Sequence, residues 1–215
     1  MSASIKPSIG LPPSELKEFP LAILDANKSI VRSHRAERSP WWFSAAPDSE
    51  QIGGRFDLIT PNGTCYVADT VEVATRERLR ETVLAARIVS SDFADSFSVS
   101  TFTVPKAYNC ANIDSTQAAN FGVTRELAAL PPAYYPISRA WASAFSESAF
   151  KGIRYGARFS PGAESAWALF GKAGDDDSHY TPKTETISGR VACQRVGVAV
   201  APHPRLSNLT ILGGV

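Results

Sequence analysis

The chain is sparing with the residues that build metal centres and disulfide frameworks. Of its 215 residues only three are histidine and three are cysteine. Cys65, Cys110 and Cys193 lie far apart, and none belongs to a CxxC or Cys/His ligand spacing. That odd, scattered set excludes a secreted disulfide scaffold and a zinc module, and it reads as buried thiols in a reducing cytoplasm. With His34, His179 and His203 as the whole complement, a multi-histidine centre is excluded too, and no metal is expected. An excess of charge is also missing: 22 basic residues face 21 acidic ones, a net charge of +1. No global field remains to attract DNA, RNA or an anionic membrane, so an anionic ligand has to be held by a local group of arginines. Long apolar runs are absent as well. VGVAVA at 196–201 is too short to span a bilayer, and the proline-broken N-terminus lacks a signal-peptide core. A cytoplasmic protein is expected.

What is present is ordinary globular material, 44% hydrophobic and 20% charged, enough at this length for a single domain with a full core. Residues 1–28 read as an N-terminal extension, 29–171 as the core, and 172–215 as a β-rich completion of the same domain. Ser29–Arg35 is a strand that puts Ile30, Arg32 and His34 on one face. Trp41 and Trp42 follow in a polar loop, as a satellite core or as the wall of a ligand pocket. Gly53-Gly54 precedes a strand at Arg55–Leu58. The Thr60-Pro61-Asn62-Gly63 turn then leads into Thr64–Ala68, so the two strands read as a hairpin. Asp69 with Glu72 resembles a capping box opening a helix from about Thr70 to Arg87. Val73, Ala74, Glu77 and Leu84 share its apolar side, while Arg76, Arg78 and Glu81 reach water. The bland alternative for Glu77 is a surface pair with Arg80.

Further on, Phe97–Val104 alternates as a strand, and Asn109–Ile113 is a shorter one. Ser115 or Asp114 caps a helix that Gly122 ends, and Thr124–Leu130 forms another, with Arg125 and Glu126 as a structural ion pair. A longer helix at Tyr134–Ser148 buries Ile137, Trp141 and Phe145. The last third reads as strands: Gly152–Phe159, Ser165–Phe170, Glu185–Val191 and Arg195–Ala201. Between two of them, 171–180 reads as a solvated loop.

Three side chains in the middle of this pattern carry chemistry. Arg55, Tyr66 and Glu77 stand eleven residues apart in turn. Arginine clamps phosphate bidentately, tyrosine offers a stacking face and a hydroxyl, and an inward glutamate stabilises an oxocarbenium-like transition state. With a second arginine they suit cleavage of the N-glycosidic bond of a dinucleotide. His34 reads either as a hydrogen-bonded strand histidine or as a base, and Tyr155 either lines the cleft or packs.

From Ile30 to Gly171 the chain resembles the RES-domain family. The resemblance is carried by Arg32-x-His34, GGRFD at 53–57, GTCYVAD at 63–69, the helix containing ATRERL, FGVTREL at 121–127, RAWASAF at 139–145, and GIRY at 152–155 before SAWALFG. It implies an α+β fold similar to ADP-ribosyltransferase toxins, a split, curved β-sheet with flanking helices. It further implies NAD⁺ as substrate, water or inorganic phosphate as acceptor, and a helix-turn-helix antitoxin that blocks the cleft. By the same resemblance Arg32, Arg55, Tyr66 and Glu77 are the catalytic set. Arg32 and Arg55 serve the diphosphate or an incoming phosphate, Tyr66 the nicotinamide end, and Glu77 the ribose. His34, Tyr155 and Arg158 complete the binding set. One position departs: Ala157 stands where the family has serine, and Ser160 follows three residues on. The departure keeps two alternatives in view, transfer of ADP-ribose to a macromolecule and a lapsed, binding-only RES fold.

Overall fold

A computed structural model describes residues 7–46, 53–176 and 184–203. In chain order the first strands are β1 (Leu21–Leu24), β2 (Ser29–Arg35), β3 (Trp42–Phe43), β4 (Ala45–Ala46), β5 (Leu58–Ile59) and β6 (Asn62–Ala68). Helix α1 (Val71–Ala86) follows, then β7 (Ile88–Ser90), α2 (Ser91–Asp95), β8 (Phe97–Thr103) and β9 (Tyr108–Asn112). Short 3-10 turns lead to α3 (Tyr135–Glu147), β10 (Gly152–Gly156), β11 (Ser165–Lys172) and β12 (Gly174–Asp175). The described chain closes with β13 (Glu185–Ser188), α4 (Gly189–Arg195) and β14 (Ala199–Ala201).

Eight strands form the main sheet in the order β1-β9-β10-β11-β6-β2-β8-β13. Only β9 and β10 run parallel; the other neighbours are antiparallel. The sheet is split in its middle. β6 pairs with β11 from Ala68 to Asn62, and β2 pairs with β8 along its whole length, but β2 and β6 meet at the single pair Val31↔Ala68. Past that pair the two strands diverge, and side chains from both border an open cleft. This is the split sheet with flanking helices that the family resemblance implies.

Strand alternation sorts the apolar residues onto two faces. Val31, Ala68, Phe97 and Val99 lie in the larger core with Phe56, Trp141, Phe145 and Ile153. Ile30, Cys65, Val67 and Phe102 lie in the smaller one with Trp41, Phe43 and Leu169. Trp41 therefore belongs to a satellite core. Trp42 is half-buried, with the Arg38 guanidinium 4.3 Å from its ring centroid. Ile9, Leu16 and Phe19 are buried in the larger core, Trp141 Nε1 donates to Gly10 O at 3.0 Å, and β1 is an edge strand of the main sheet. On α3, Trp141 and Phe145 are buried and Ile137 is half-buried.

Several local expectations need correction. Arg55–Leu58 is not a strand of a hairpin: Gly53–Asp57 is a turn, and β5 pairs in parallel with β4. The cause is Asp57, whose carboxylate takes the Gly54 N–H and bends the backbone before it can extend. Thr70, not Asp69, caps α1, its Oγ1 accepting from Val73 N at 3.2 Å. Asp69 is engaged elsewhere, accepting from Lys28 Nζ at 2.8 Å, Ser165 N at 2.8 Å and Trp167 Nε1 at 3.2 Å. Burial alone would raise its carboxyl, but these donors together hold it below the usual range. Among the described residues Glu126 forms no ion pair with Arg125; it accepts from Ser8 N at 2.9 Å and from Ser8 Oγ at 2.8 Å. Residues 189–191, read as the end of a strand at Glu185–Val191, and Arg195, read as the start of one at Arg195–Ala201, lie in α4 instead, which Ser188 caps. The β10 strand stops at Gly156, and Ala157–Ser160 turns away from it. Of the 171–180 loop, Gly174–Asp175 pairs with β3, while 177–180 lies outside the described residues.

Candidate functional site

The GGRFD segment forms the floor of the site because a buried carboxylate holds it. Asp57, 1% exposed, accepts from Gly54 N at 2.6 Å and from the Tyr66 hydroxyl at 2.7 Å. The same hydroxyl accepts from Phe56 N at 2.8 Å. Helix α3 ties the turn from outside: Arg139 Nε donates to Gly54 O at 3.1 Å, and Ser138 Oγ donates to Arg55 O at 2.7 Å. Burial pushes the Asp57 carboxyl up, against the hydrogen bonds from Gly54 and Tyr66. Burial, and then the charge of Asp57, pushes the Tyr66 hydroxyl well up, so Tyr66 stays a phenol. Its hydroxyl is committed to the turn, and what it offers the cleft is ring surface.

Gly54 has no room for a side chain. A Cβ there would stand 2.5 Å from the Tyr66 hydroxyl and 2.6 Å from Asp57 Oδ1. Gly54→Ala is therefore expected to destabilise the protein by about 1–3 kcal/mol through overpacking and to displace Arg55. Urea denaturation with an unchanged m-value measures the first effect, and ligand affinity the second.

Glu77 comes to the site from α1. It lies one helical turn beyond the buried pair Val73 and Ala74, so it projects from the same inward side. The turn after β10 meets it, and Phe159 N donates to Glu77 Oε1 at 3.0 Å. Tyr155, 4% exposed, both packs and lines the cleft: its ring meets Phe56 edge-on at 5.3 Å. Burial raises its hydroxyl, and the charge of Glu77 adds to that shift. The cleft encloses about 650 Å³, and Arg55, Tyr66, Glu77, Tyr155 and Arg158 all line it. Three residues evenly spaced in sequence thus converge through a turn, a strand and a helix.

Arg32 and His34 lie elsewhere. They leave β2 on the opposite face from Val31 and line an adjoining cleft of about 220 Å³. Arg32 Nη1 donates to Pro40 O at 2.7 Å and to Cys65 Sγ at 3.1 Å. His34 Nδ1 meets Arg35 O at 2.9 Å, and because a carbonyl only accepts, this nitrogen carries the proton. Nε2 then accepts from Ser100 Oγ at 2.8 Å. Burial lowers the His34 pKa, the Arg35 carbonyl opposes the shift, and Arg32 adds to it. The folded state therefore resists protonation. The stability this provides is complete above the ordinary histidine value of about 6.5 and falls as the pH drops below it. His34→Gln should flatten the pH dependence of urea stability between about pH 7 and pH 5.

The sequence reading missed two arginines. Arg78, expected in water, is half-buried and lines both clefts. Arg80 lines both as well, because α1 breaks there, with φ 62° and ψ 179°. A side-chain-bearing residue in that region costs about 1–3 kcal/mol, so periodicity gave no sign of it. The bland Glu77–Arg80 pair does not form among the described residues, where Glu77 bonds to Phe159 N instead. Asp57, Ser138 and Arg139 were missed as supports; the one local signal was the Gly-x-x-Asp spacing of a turn. Ala157 is 8% exposed and packed in the larger core, and Ser160 is buried without lining either cleft. Among the described residues no group of three or more His, Cys, Asp or Glu side chains is placed to hold a metal ion. No described helix is long and apolar enough to cross a membrane.

Fold and site together define a one-domain α+β protein with an arginine-lined cleft over a split sheet. The chain belongs to the RES-domain family, which it matches over residues 29–188. Among solved structures it is similar to a chain in the crystal structure of the M. tuberculosis MbcT–MbcA toxin–antitoxin complex. The TM-score is 0.56 at 12% identity, covering 81% of this chain and 91% of that one, a likeness of fold. No curated protein matches the sequence.

Proposed function

We propose that the protein is an NAD⁺-consuming enzyme of the toxin type that breaks the nicotinamide–ribose bond. The observation that carries this reading is the meeting of Arg55, Tyr66, Glu77, Tyr155 and Arg158 in one cleft of about 650 Å³, within the usual range for nucleotide-sized ligands of roughly 300–1,000 Å³. Arg55 and Arg158 supply charge for the diphosphate, and Arg32 adds to the field from the other face of β2. The rings of Tyr66 and Tyr155 hold the nicotinamide end. Glu77, fixed through one oxygen by Phe159 N, has its other oxygen for the ribose. As the C–N bond breaks, nicotinamide leaves with the electron pair and positive charge develops on the ribose, where the carboxylate stabilises it. Water, losing a proton, or inorganic phosphate then bonds to the anomeric carbon.

The toxin–antitoxin complex that shares the fold supports an antitoxin partner, and we assign the closing of the cleft to a helix-turn-helix antitoxin acting in the cytoplasm. The test is NAD⁺ turnover by purified protein, with and without phosphate, with products resolved. Nicotinamide should appear in equal amount to ADP-ribose or to its phosphorylated form. Intact NAD⁺ after prolonged incubation would overturn the proposal. Ala157 favours a second reading, binding without turnover, because no hydroxyl stands at that position. Under it NAD⁺ protects the protein against heat but stays intact.

A further inference from the structure

Helix α3 brings to the main cleft a ring that the cleavage chemistry does not use. Tyr135, its first residue, is 8% exposed and lines the cleft with Arg55 and Tyr155.

Arg55 has few other neighbours to fix it. It is half-buried, its Nε is buried without a hydrogen-bond partner, and among the described residues no acceptor takes a bond from its guanidinium. What stands beside it is aromatic. The guanidinium carbon lies 5.8 Å from the Tyr135 ring centroid and 6.0 Å from that of Phe56, both within the roughly 6 Å reach of a cation–π contact. Phe56 is the adjacent residue and moves with the turn. Tyr135 comes from a separate helix, so it is the contact that fixes where the guanidinium points.

The two backbones are tied to each other. Ser138 Oγ lies 2.7 Å from Arg55 O and 3.1 Å from Tyr135 O, and Arg139 Nε donates to Gly54 O at 3.1 Å. The Arg139 guanidinium also stands 5.8 Å from the Tyr135 centroid. The electron-rich ring attracts both cations, which offsets the repulsion between them. Across the cleft, burial raises the Tyr155 hydroxyl, Glu77 adds to the shift, and the charge of Arg55 opposes it. The guanidinium beside Tyr135 is thus within electrostatic reach of the carboxylate side of the site.

We infer that Tyr135 is a positioning residue, whose ring holds the Arg55 guanidinium in the cleft ready for the anionic group of the ligand. An arginine held in place beforehand loses little side-chain freedom on binding. The inference rests on the proposed activity only for the identity of that ligand, a diphosphate ester. A ring that merely filled space would support the fold equally with and without Arg55.

Two measurements on the full chain test this. In urea denaturation, Tyr135→Leu should raise the unfolding constant about threefold to tenfold more in the wild-type background than beside Arg55→Ala, the size of a cation–π contact at a half-buried site. In calorimetric titration with ADP-ribose, Tyr135→Leu should weaken binding by a similar factor, while Tyr135→Phe, which keeps the ring, retains most of the affinity. In turnover the loss should fall on KM and not on kcat. Where Tyr135→Leu fails to fold, Tyr135→Met, unbranched and apolar, replaces it in both measurements. An equal effect of leucine with and without Arg55 overturns the inference. So does a phenylalanine variant as weak as the leucine one, a loss confined to kcat, or coupling in urea with unchanged affinity. A wild type that binds neither ADP-ribose nor NAD⁺ defeats the proposed activity instead, and the urea comparison then decides the role of Tyr135 by itself.

Discussion

Glu77→Gln is expected to lower nicotinamide release by roughly 10²–10³-fold, the usual loss when a charge aimed at a transition state is removed. Glutamine keeps a carbonyl oxygen where Oε1 accepts from Phe159 N at 3.0 Å, so the turn after β10 has no reason to move. Only the negative charge facing the ribose is lost. The substitution should therefore reduce kcat far more than it alters binding of NAD⁺ and leave the melting temperature nearly unchanged. Arg55→Ala separates the other half of the site. Ser138 holds the backbone carbonyl of Arg55, not its guanidinium, so the turn survives truncation while the diphosphate loses a clamp. Its loss should appear mainly in affinity. Wild-type turnover in both variants would sink the assignment.

Asp57→Ala is expected to give the largest loss of stability, about 3 kcal/mol. The Gly54 N–H and the Tyr66 hydroxyl would each lose a buried acceptor, at about 1–3 kcal/mol apiece. For a chain of this size that lowers the melting temperature by roughly 10 °C. Activity should fall as well, because the turn that aims Arg55 is held by this carboxylate. Asp57→Asn keeps one acceptor oxygen and should fall between the wild type and Asp57→Ala in both measurements. Calorimetry and turnover measured on the three proteins check the ordering. Equal stability of Asp57→Ala and the wild type would show that the turn is held from α3 alone.

Much of this site was legible because its elements obey short-range rules. Ser29–Arg35, Phe97–Thr103 and the helix from Val71 were readable from alternation, from a cap near residue 70 and from helical spacing. Glu77 was placed on the inward side of its helix because Val73 and Ala74 mark that side one turn earlier. The hairpin was misread because a turn closed by a side chain leaves little trace in apolar periodicity. Asp57 is one residue among five, and its effect depends on burial that Tyr66, ten positions away in the hydrogen-bonded pairing with Phe56, helps to create. Residues 189–191 were misread as strand because packing against β8 and α2 overrides the local preference of valine.

By itself the sequence determined the main strands and the helix that carries Glu77, singled out Arg55, Tyr66 and Glu77, and through its ordered motifs resembled one family, which implied the fold class. The strands and the helix follow from patterns that local backbone chemistry imposes. Tertiary structure alone decided that β2 and β6 part after Val31↔Ala68, which opens the cleft and leaves Arg32 on the other side of the strand. It also decided that α1 breaks at Arg80, which turns two arginines toward one small space. Both outcomes depend on strand divergence and backbone strain, set by contacts between residues far apart in the chain, and these leave no periodic mark in the sequence.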